Sequence, residues 1–270
     1  MRNAQELIIL VGNIGCGKST LARKYARKGY IIMNGDGLLT SIQGGIYGLY
    51  NPDMKPVHDE IEQEVIVSAL VGGFSVVVDK TNMTKKVRKM YFDIVRYVIH
   101  QITMNRITVR AIDWGPGYQY TLNRRLDNPG GIKKSVWVNV HEQMKHDYEK
   151  PSLKEGFDEV QPAPDAYTFR AYDFDGTIVS NAFPHIGTVN QAIVDDMRTF
   201  YKSDKNMIII WTCRSGDYLA QAEGFLLDNN IPFDYINENP LAEYGSRKVF
   251  AHKYVDDRNC FYLHSMLQGD

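Results

Sequence analysis

Short, almost continuously apolar runs alternate along this chain with longer segments whose apolar residues return every three or four positions. The first run, Leu7–Val11, leads through Gly12 to Ser19-Thr20-Leu21-Ala22, the pattern of a buried strand, a loop and a helix start. Tyr30–Met33 predicts a second strand, entering Asn34-Gly35-Asp36-Gly37. A helix is predicted over roughly 57–70, and Phe74–Val78 reads as a strand ending in Asp79. Val87, Met90, Tyr91, Ile94, Val95 and Val98 fall at helical spacing, and Arg106–Ile112 reads as a fourth strand. Strands alternating with helices predict an α/β fold, a mostly parallel sheet flanked by helices.

The rhythm breaks between Lys150 and Pro164, where PSLKEGFDEVQPAP is proline-rich and poor in apolar residues. This stretch reads as a linker, giving domains at 1–150 and 167–270 with 151–166 between them. In the second domain a strand runs from Tyr167 into Asp173, and Val189, Ile193, Met197 and Phe200 mark a helix. Met207–Thr212 is a strand, Leu219, Ala222 and Leu226 a helix, Phe233–Ile236 a further apolar run, and Tyr254-Val255 a last strand ending in Asp256-Asp257. A length of 270 residues suits two domains.

Composition narrows the class. With 44% hydrophobic and 23% charged residues the chain reads as globular rather than disordered. An apolar run such as Leu7–Val11 is too short to span a membrane, so a cytoplasmic protein is expected. Cys16, Cys213 and Cys260 show no C-x-x-C spacing, which excludes a zinc-ribbon or disulfide framework. The net charge of −1 conceals a division: residues 1–150 carry 21 Lys+Arg against 14 Asp+Glu, and the remainder 10 against 18. A basic half suits a polyanionic substrate, and an acidic half suits a divalent cation held among carboxylates.

Gly12-Asn13-Ile14-Gly15-Cys16-Gly17-Lys18-Ser19 matches G-x-x-x-x-G-K-[ST] between a strand and a helix, the setting a phosphate-binding loop requires. Its glycines let backbone N–H groups turn toward phosphate oxygens. Lys18 reaches the outer phosphates and Ser19 can ligate Mg²⁺. Gly12, Gly15, Cys16, Gly17, Lys18, Ser19 and Thr20 are therefore the expected nucleotide-binding residues, Cys16 being a small residue that fits rather than a nucleophile. Asp36, after the second strand, suits a general base for an acceptor hydroxyl; the other reading is a cap of the next helix. Asp79 is placed to act on Mg²⁺, with Thr81 and Asn82 after it. Arg124-Arg125 lie in an expected lid, Leu122–Gly131, where arginine can meet charge developing on a transferred phosphoryl group. Lys85, Lys86, Arg88 and Lys89 either track a phosphodiester backbone or form a solvated helix face.

A second constellation follows. Tyr172-Asp173-Phe174-Asp175-Gly176-Thr177 sets two aspartates two residues apart at a strand end, followed by Trp211-Thr212-Cys213-Arg214, Arg247-Lys248 and Asp256-Asp257. Together these resemble the four motifs of the haloacid dehalogenase (HAD) phosphatase superfamily. That resemblance implies Asp173 as nucleophile and Asp175 as proton donor and later base. It also implies Mg²⁺ held by Asp173, Asp175, Asp256 and Asp257, with Thr212 and Lys248 on the phosphoryl oxygens. Only 34 residues separate Thr177 from Thr212 and 35 separate Thr212 from Lys248, so no large cap is expected over the site.

A P-loop kinase followed by a HAD phosphatase resembles the bacteriophage polynucleotide kinase/3′-phosphatase family over nearly the whole chain. The resemblance implies ATP-dependent, or other NTP-dependent, phosphorylation of 5′-hydroxyl ends of RNA or DNA, and Mg²⁺-dependent hydrolysis of 3′-phosphates. It also implies homo-oligomeric assembly and work alongside a ligase. On this sequence it assigns Lys18, Ser19, Asp36, Asp79, Arg124, Asp173, Asp175, Thr212, Arg214, Lys248, Asp256 and Asp257. It departs after Asp36, where Gly37-Leu38-Leu39 offers no arginine for the acceptor's phosphate. Two alternatives remain: a nucleoside or nucleotide kinase joined to a small-molecule HAD phosphatase, and a non-catalytic nucleic-acid-binding module.

Overall fold

The computed structural model describes residues 5–45, 51–102, 106–164, 167–239 and 249–258. It divides into two compact units, Met1–Ala163 and Pro164–Asp270.

In the first unit the strands are β1 (Glu6–Val11), β2 (Ile31–Asn34), β3 (Val76–Asp79), β4 (Thr108–Asp113) and β5 (Glu159–Pro162). They form one parallel sheet in the order β2-β3-β1-β4-β5. The helices are α1 (Lys18–Arg27), α2 (Gly35–Ile42), α3 (Lys55–Val71), α4 (Lys85–Ile102), α5 (Gln119–Asp127) and α6 (Lys134–Asp147). Alternate residues of β1 enter different cores. Leu7, Ile9 and Val11 pack with Ile66 and Leu70 of α3 and Tyr91, Ile94, Val95 and Val98 of α4. Ile8 and Leu10 face Leu21, Ala22 and Tyr25 of α1. Burial on both faces explains why the strand reads as unbroken hydrophobic sequence. Each such side chain removed from water contributes about 1.5–3 kcal/mol.

The stretch read as a linker is not one. Phe157 is buried in the α3/α4 core, and β5 extends the sheet by pairing Arg110 with Glu159 through Asp113 with Pro162. Its prolines hid it: an edge strand needs ladder bonds on one side only and tolerates Pro162. Phe74, placed in the third strand from sequence, is exposed and precedes β3.

The second unit holds β6 (Thr168–Asp173), α7 (Gln191–Tyr201), β7 (Asn206–Trp211), α8 (Gly216–Asp228), β8 (Tyr235–Ile236) and β9 (Lys253–Val255). Its sheet is parallel in the order β8-β7-β6-β9. Among the described residues both helices pack on one face, against Tyr172, Phe174, Ile208, Ile210 and Val255. The other face carries Phe169, Ala171, Met207, Ile209, Tyr235 and Ala251. Val189 lies before α7 rather than in it, bridging Val179 within the loop that follows β6. No described helix of either unit is long and apolar enough to cross a membrane.

Candidate functional sites

In a parallel sheet, ligand sites lie at the carboxyl ends of the strands, because loops and helix N-termini converge there. β1 delivers the phosphate-binding loop. Gly15 and Gly17 hold φ angles of 71° and 100°, a region glycine enters without the cost other residues meet. Lys18 is buried, its Nζ donating to the carbonyls of Gly12 (2.9 Å) and Asn13 (2.6 Å), which holds its head inside the loop. The Cys16 thiol is buried and pushed up by that burial, against the opposing effect of nearby Lys18, as an inert packing residue would be. Asn13 is fully buried. Its Nδ2 donates to the carbonyls of Pro116 (2.7 Å) and His141 (2.9 Å), fastening the loop to α6 and to the segment entering α5.

β2 and β3 bring the acidic groups. Asn34, not Asp36, caps α2: its Oδ1 accepts from the Gly37 N–H at 2.6 Å. The Asn34 Nδ2 donates to Asp79 Oδ2 at 2.7 Å. Asp36 is thereby left as an exposed residue of the first helical turn. Asp79 is 5% exposed, and its Oδ1 is buried with no hydrogen-bond partner among the described residues. Such an oxygen is costly unless a cation or its water completes it. With exposed Ser19 lining the same cavity, the residues present fit a Mg²⁺ beside the loop. Asn82 has a different task, its Nδ2 donating to the Leu10 carbonyl and its Oδ1 accepting from Tyr91.

A cavity of about 470 Å³ joins these elements. Ile14, Gly15, Lys18 and Ser19 line it with Asn34, Asp36 and Asp79, and α3 contributes Lys55, His58, Asp59 and Glu62. Arg125 and Trp137 complete another wall. Thr20, one residue beyond Ser19, is partly exposed at the start of α1. Of the lid arginines, Arg125 lines the cavity and Arg124 is not among its lining residues. Arg125 stacks over the Trp137 ring at 3.9 Å, which fixes its direction. Adjacent helical residues point about 100° apart, so a sequence reading of the Arg-Arg pair had no means of choosing between them. Arg88 is fully buried and grips Glu155 with two bonds of 2.8 and 3.0 Å, so it is a packing residue and tracks no nucleic acid.

In the second unit Asp173 ends β6, and Asp256 and Asp257 follow β9. Oxygens of all three carboxylates lie within 4.8 Å of one another. Burial, then the charges of Asp256, Asp257 and Asp175, push the Asp173 carboxyl up to about 7 against one opposing backbone N–H from Phe174. Asp257 is raised as well, by burial and by Asp256. Three clustered carboxylates, two of them raised, fit a divalent cation. The turn between them is tight: a Cβ on Gly176 would stand 2.3 Å from Asp257 Oδ2.

Arg214 is 3% exposed and clamps Asp175, Nε to Oδ2 at 2.8 Å and Nη2 to Oδ1 at 2.7 Å. It also donates to the carbonyls of Pro184 and His185, so the loop after β6 is built around its guanidinium. Thr212 is positioned by Asn237, which exchanges two bonds of 2.8 Å with its backbone. Asn237 holds a left-handed φ of 54° and went unnoticed in the sequence, although asparagine is enriched in that conformation. Lys248, with Arg247, lies outside the described residues.

Residues 7–112 match the family model described as an AAA domain. With the loop and the sheet order, this match describes the first unit as a P-loop α/β domain. No curated protein matches the chain. Among solved structures, the chain is similar to one from the Pnkp1/Rnl/Hen1 RNA repair complex, at 19% identity over 96% of this chain and 91% of that one, with a TM-score of 0.41. A fungal RNA kinase matches at 12% identity over 84% of this chain and 99% of that one, with a TM-score of 0.44. A conserved protein from Bacteroides thetaiotaomicron is 32% identical over 34% of this chain and 78% of that one, with a TM-score of 0.31.

Proposed function

We propose that the chain is a bifunctional nucleic-acid end-healing enzyme: the first unit transfers the γ-phosphate of ATP to a 5′-hydroxyl, and the second hydrolyses a 3′-phosphate. The observation that carries the kinase half is the shared cavity, in which Lys18 and Ser19 of the phosphate loop meet Asp36, Asp79 and Arg125. Phosphoryl transfer needs positioning and charge compensation more than covalent chemistry. The loop N–H groups and Lys18 hold the donor phosphates, Asp36 takes the acceptor's proton, and Arg125 meets charge developing on the moving group. A bound Mg²⁺, which Ser19 and Asp79 would hold, supplies further charge neutralisation of the phosphates.

In the second unit Asp173 attacks phosphorus to form an aspartyl-phosphate, and Asp175 gives a proton to the departing sugar oxygen. Asp175 then accepts a proton from the water that cleaves the acyl phosphate. Arg214 aims Asp175 through both carboxylate oxygens. Asp173, Asp256 and Asp257 fit the superfamily's Mg²⁺, whose charge would favour ionised Asp173. Lys248 and Thr212 are assigned to the phosphoryl oxygens. Assembly into homo-oligomers and work with a ligase belong to the same proposal.

Labelled γ-phosphate from ATP should pass to a 5′-hydroxyl oligonucleotide with the wild-type chain, and Asp36→Asn should lower that rate at least about 100-fold. A nucleoside accepted in preference to the oligonucleotide would favour the small-molecule kinase reading, and labelling of neither would overturn the kinase assignment. For the lid, Arg125→Ala is expected to reduce kcat by about 100-fold or more and Arg124→Ala by less than tenfold. The reverse order in steady-state kinetics would return the role to Arg124.

A further inference from the structure

The cavity is lined by four basic side chains, Lys18, Lys55, Lys80 and Arg125, and four carboxylates, Asp36, Asp59, Glu62 and Asp79. Such a balance gives an anionic acceptor no net attraction, so binding it depends on which cation can be released from its partner. Three are committed. Lys18 is wrapped by the phosphate loop, and Arg125 is stacked on Trp137 beside that loop. Lys80 pairs at 2.6 Å with Glu62, whose side chain is only 4% exposed and also accepts from Tyr91. Taking Lys80 away would leave a buried carboxylate uncompensated, which is strongly unfavourable.

Lys55 is held differently. It pairs with Asp59 one helical turn along α3, with side chains 63% and 40% exposed. An i,i+4 pair so exposed contributes little, because water screens it. Exchange of Asp59 for a phosphate is therefore cheap, and the released Asp59 carboxylate remains hydrated.

We propose that Lys55 binds the backbone phosphate next to the acceptor hydroxyl, with Asp59 as its resting partner, so that this exposed pair makes the kinase prefer a polynucleotide end to a nucleoside. This rests on the kinase reading above. It supplies from the start of α3 the cation that Gly37-Leu38-Leu39 does not provide beside Asp36. Lys55 is a specificity residue here and takes no part in the transfer itself.

The test compares a 5′-hydroxyl oligonucleotide with the corresponding nucleoside as acceptors, for wild type, Lys55→Ala, Lys55→Arg and Asp59→Asn. Lys55→Ala should raise KM for the oligonucleotide about tenfold, leave kcat and the nucleoside's KM unchanged, and flatten the salt dependence of oligonucleotide binding by about 0.7 in log–log slope. Lys55→Arg should restore the wild-type KM, and Asp59→Asn should lower it. A Lys55→Ala chain with unchanged oligonucleotide KM, beside an active wild type, would overturn the role of Lys55 and leave the kinase standing. A fall in kcat for both acceptors alike would also overturn it, by showing a structural part. A wild type that labels no oligonucleotide would remove both the kinase reading and this one.

Discussion

Asp173→Asn is expected to abolish phosphate release from a 3′-phosphorylated oligonucleotide, by at least about 10³-fold, while ATP-dependent labelling of a 5′-hydroxyl end is unchanged. The amide keeps the shape of the carboxylate and loses the anion that attacks phosphorus. Because Asp173 is pushed up to about 7 by burial and its acidic neighbours, the substitution should also change stability with pH. The native chain holds a proton that the unfolded chain releases near the ordinary aspartate value. In the absence of divalent cations, stability therefore falls as pH rises from about 4 toward 7, and the full loss is present above that. Melting in chelator at about pH 5 and about pH 8 checks the sign. The second unit of the wild type should melt lower at the higher pH, and Asp173→Asn should lose less. Mg²⁺ at the higher pH should restore the wild type more than the variant. Phosphatase activity surviving in Asp173→Asn would remove this residue as nucleophile.

Gly15→Ala is the corresponding experiment in the first unit. Gly15 sits at φ 71°, and a Cβ there would lie 2.1 Å from the carbonyl oxygen of Thr121, a backbone atom of α5. The methyl group cannot be accommodated by a side-chain shift; α5 must move and carry Arg125 with it. Loss of kinase activity by about 100-fold or more is expected, with a fall of roughly 4 °C or more in the first unit's melting temperature, because left-handed backbone alone costs an alanine about 1–2 kcal/mol. Phosphatase activity should be spared. Gly17→Ala is a useful contrast, since only Trp114 Nε1 comes near its Cβ, at 3.9 Å. It should be the milder of the two. If Gly15→Ala melted with the wild type and kept its rate, α5 could not close on the loop as described.

Much of both candidate sites was legible in the sequence, because phosphate chemistry demands particular residues at short fixed spacings. Gly12 to Ser19 could be read as one loop, and Asp173-Phe174-Asp175 as a strand end, without knowing their neighbours. The strands announced themselves for a related reason: burial on both faces leaves hydrophobic runs such as Leu7–Val11 and Met207–Trp211. β5 escaped because an edge strand is under no such demand, and its glutamate and proline read as linker.

The sequence by itself determined the local chemistry: a phosphate loop, the acidic strand ends and two α/β units, each written in residues close together along the chain. Only the tertiary structure decided what meets across long separations. It brought Arg125 rather than Arg124 to the cavity wall, gave the helix cap to Asn34 while Asp36 lines the cavity, and closed Arg214 on Asp175. It also set the difference between Lys80, locked to a buried glutamate, and Lys55, resting on an exposed aspartate. The physical reason is that helix rotation and burial are fixed by packing against elements distant in sequence, and burial decides whether an ion pair holds or yields.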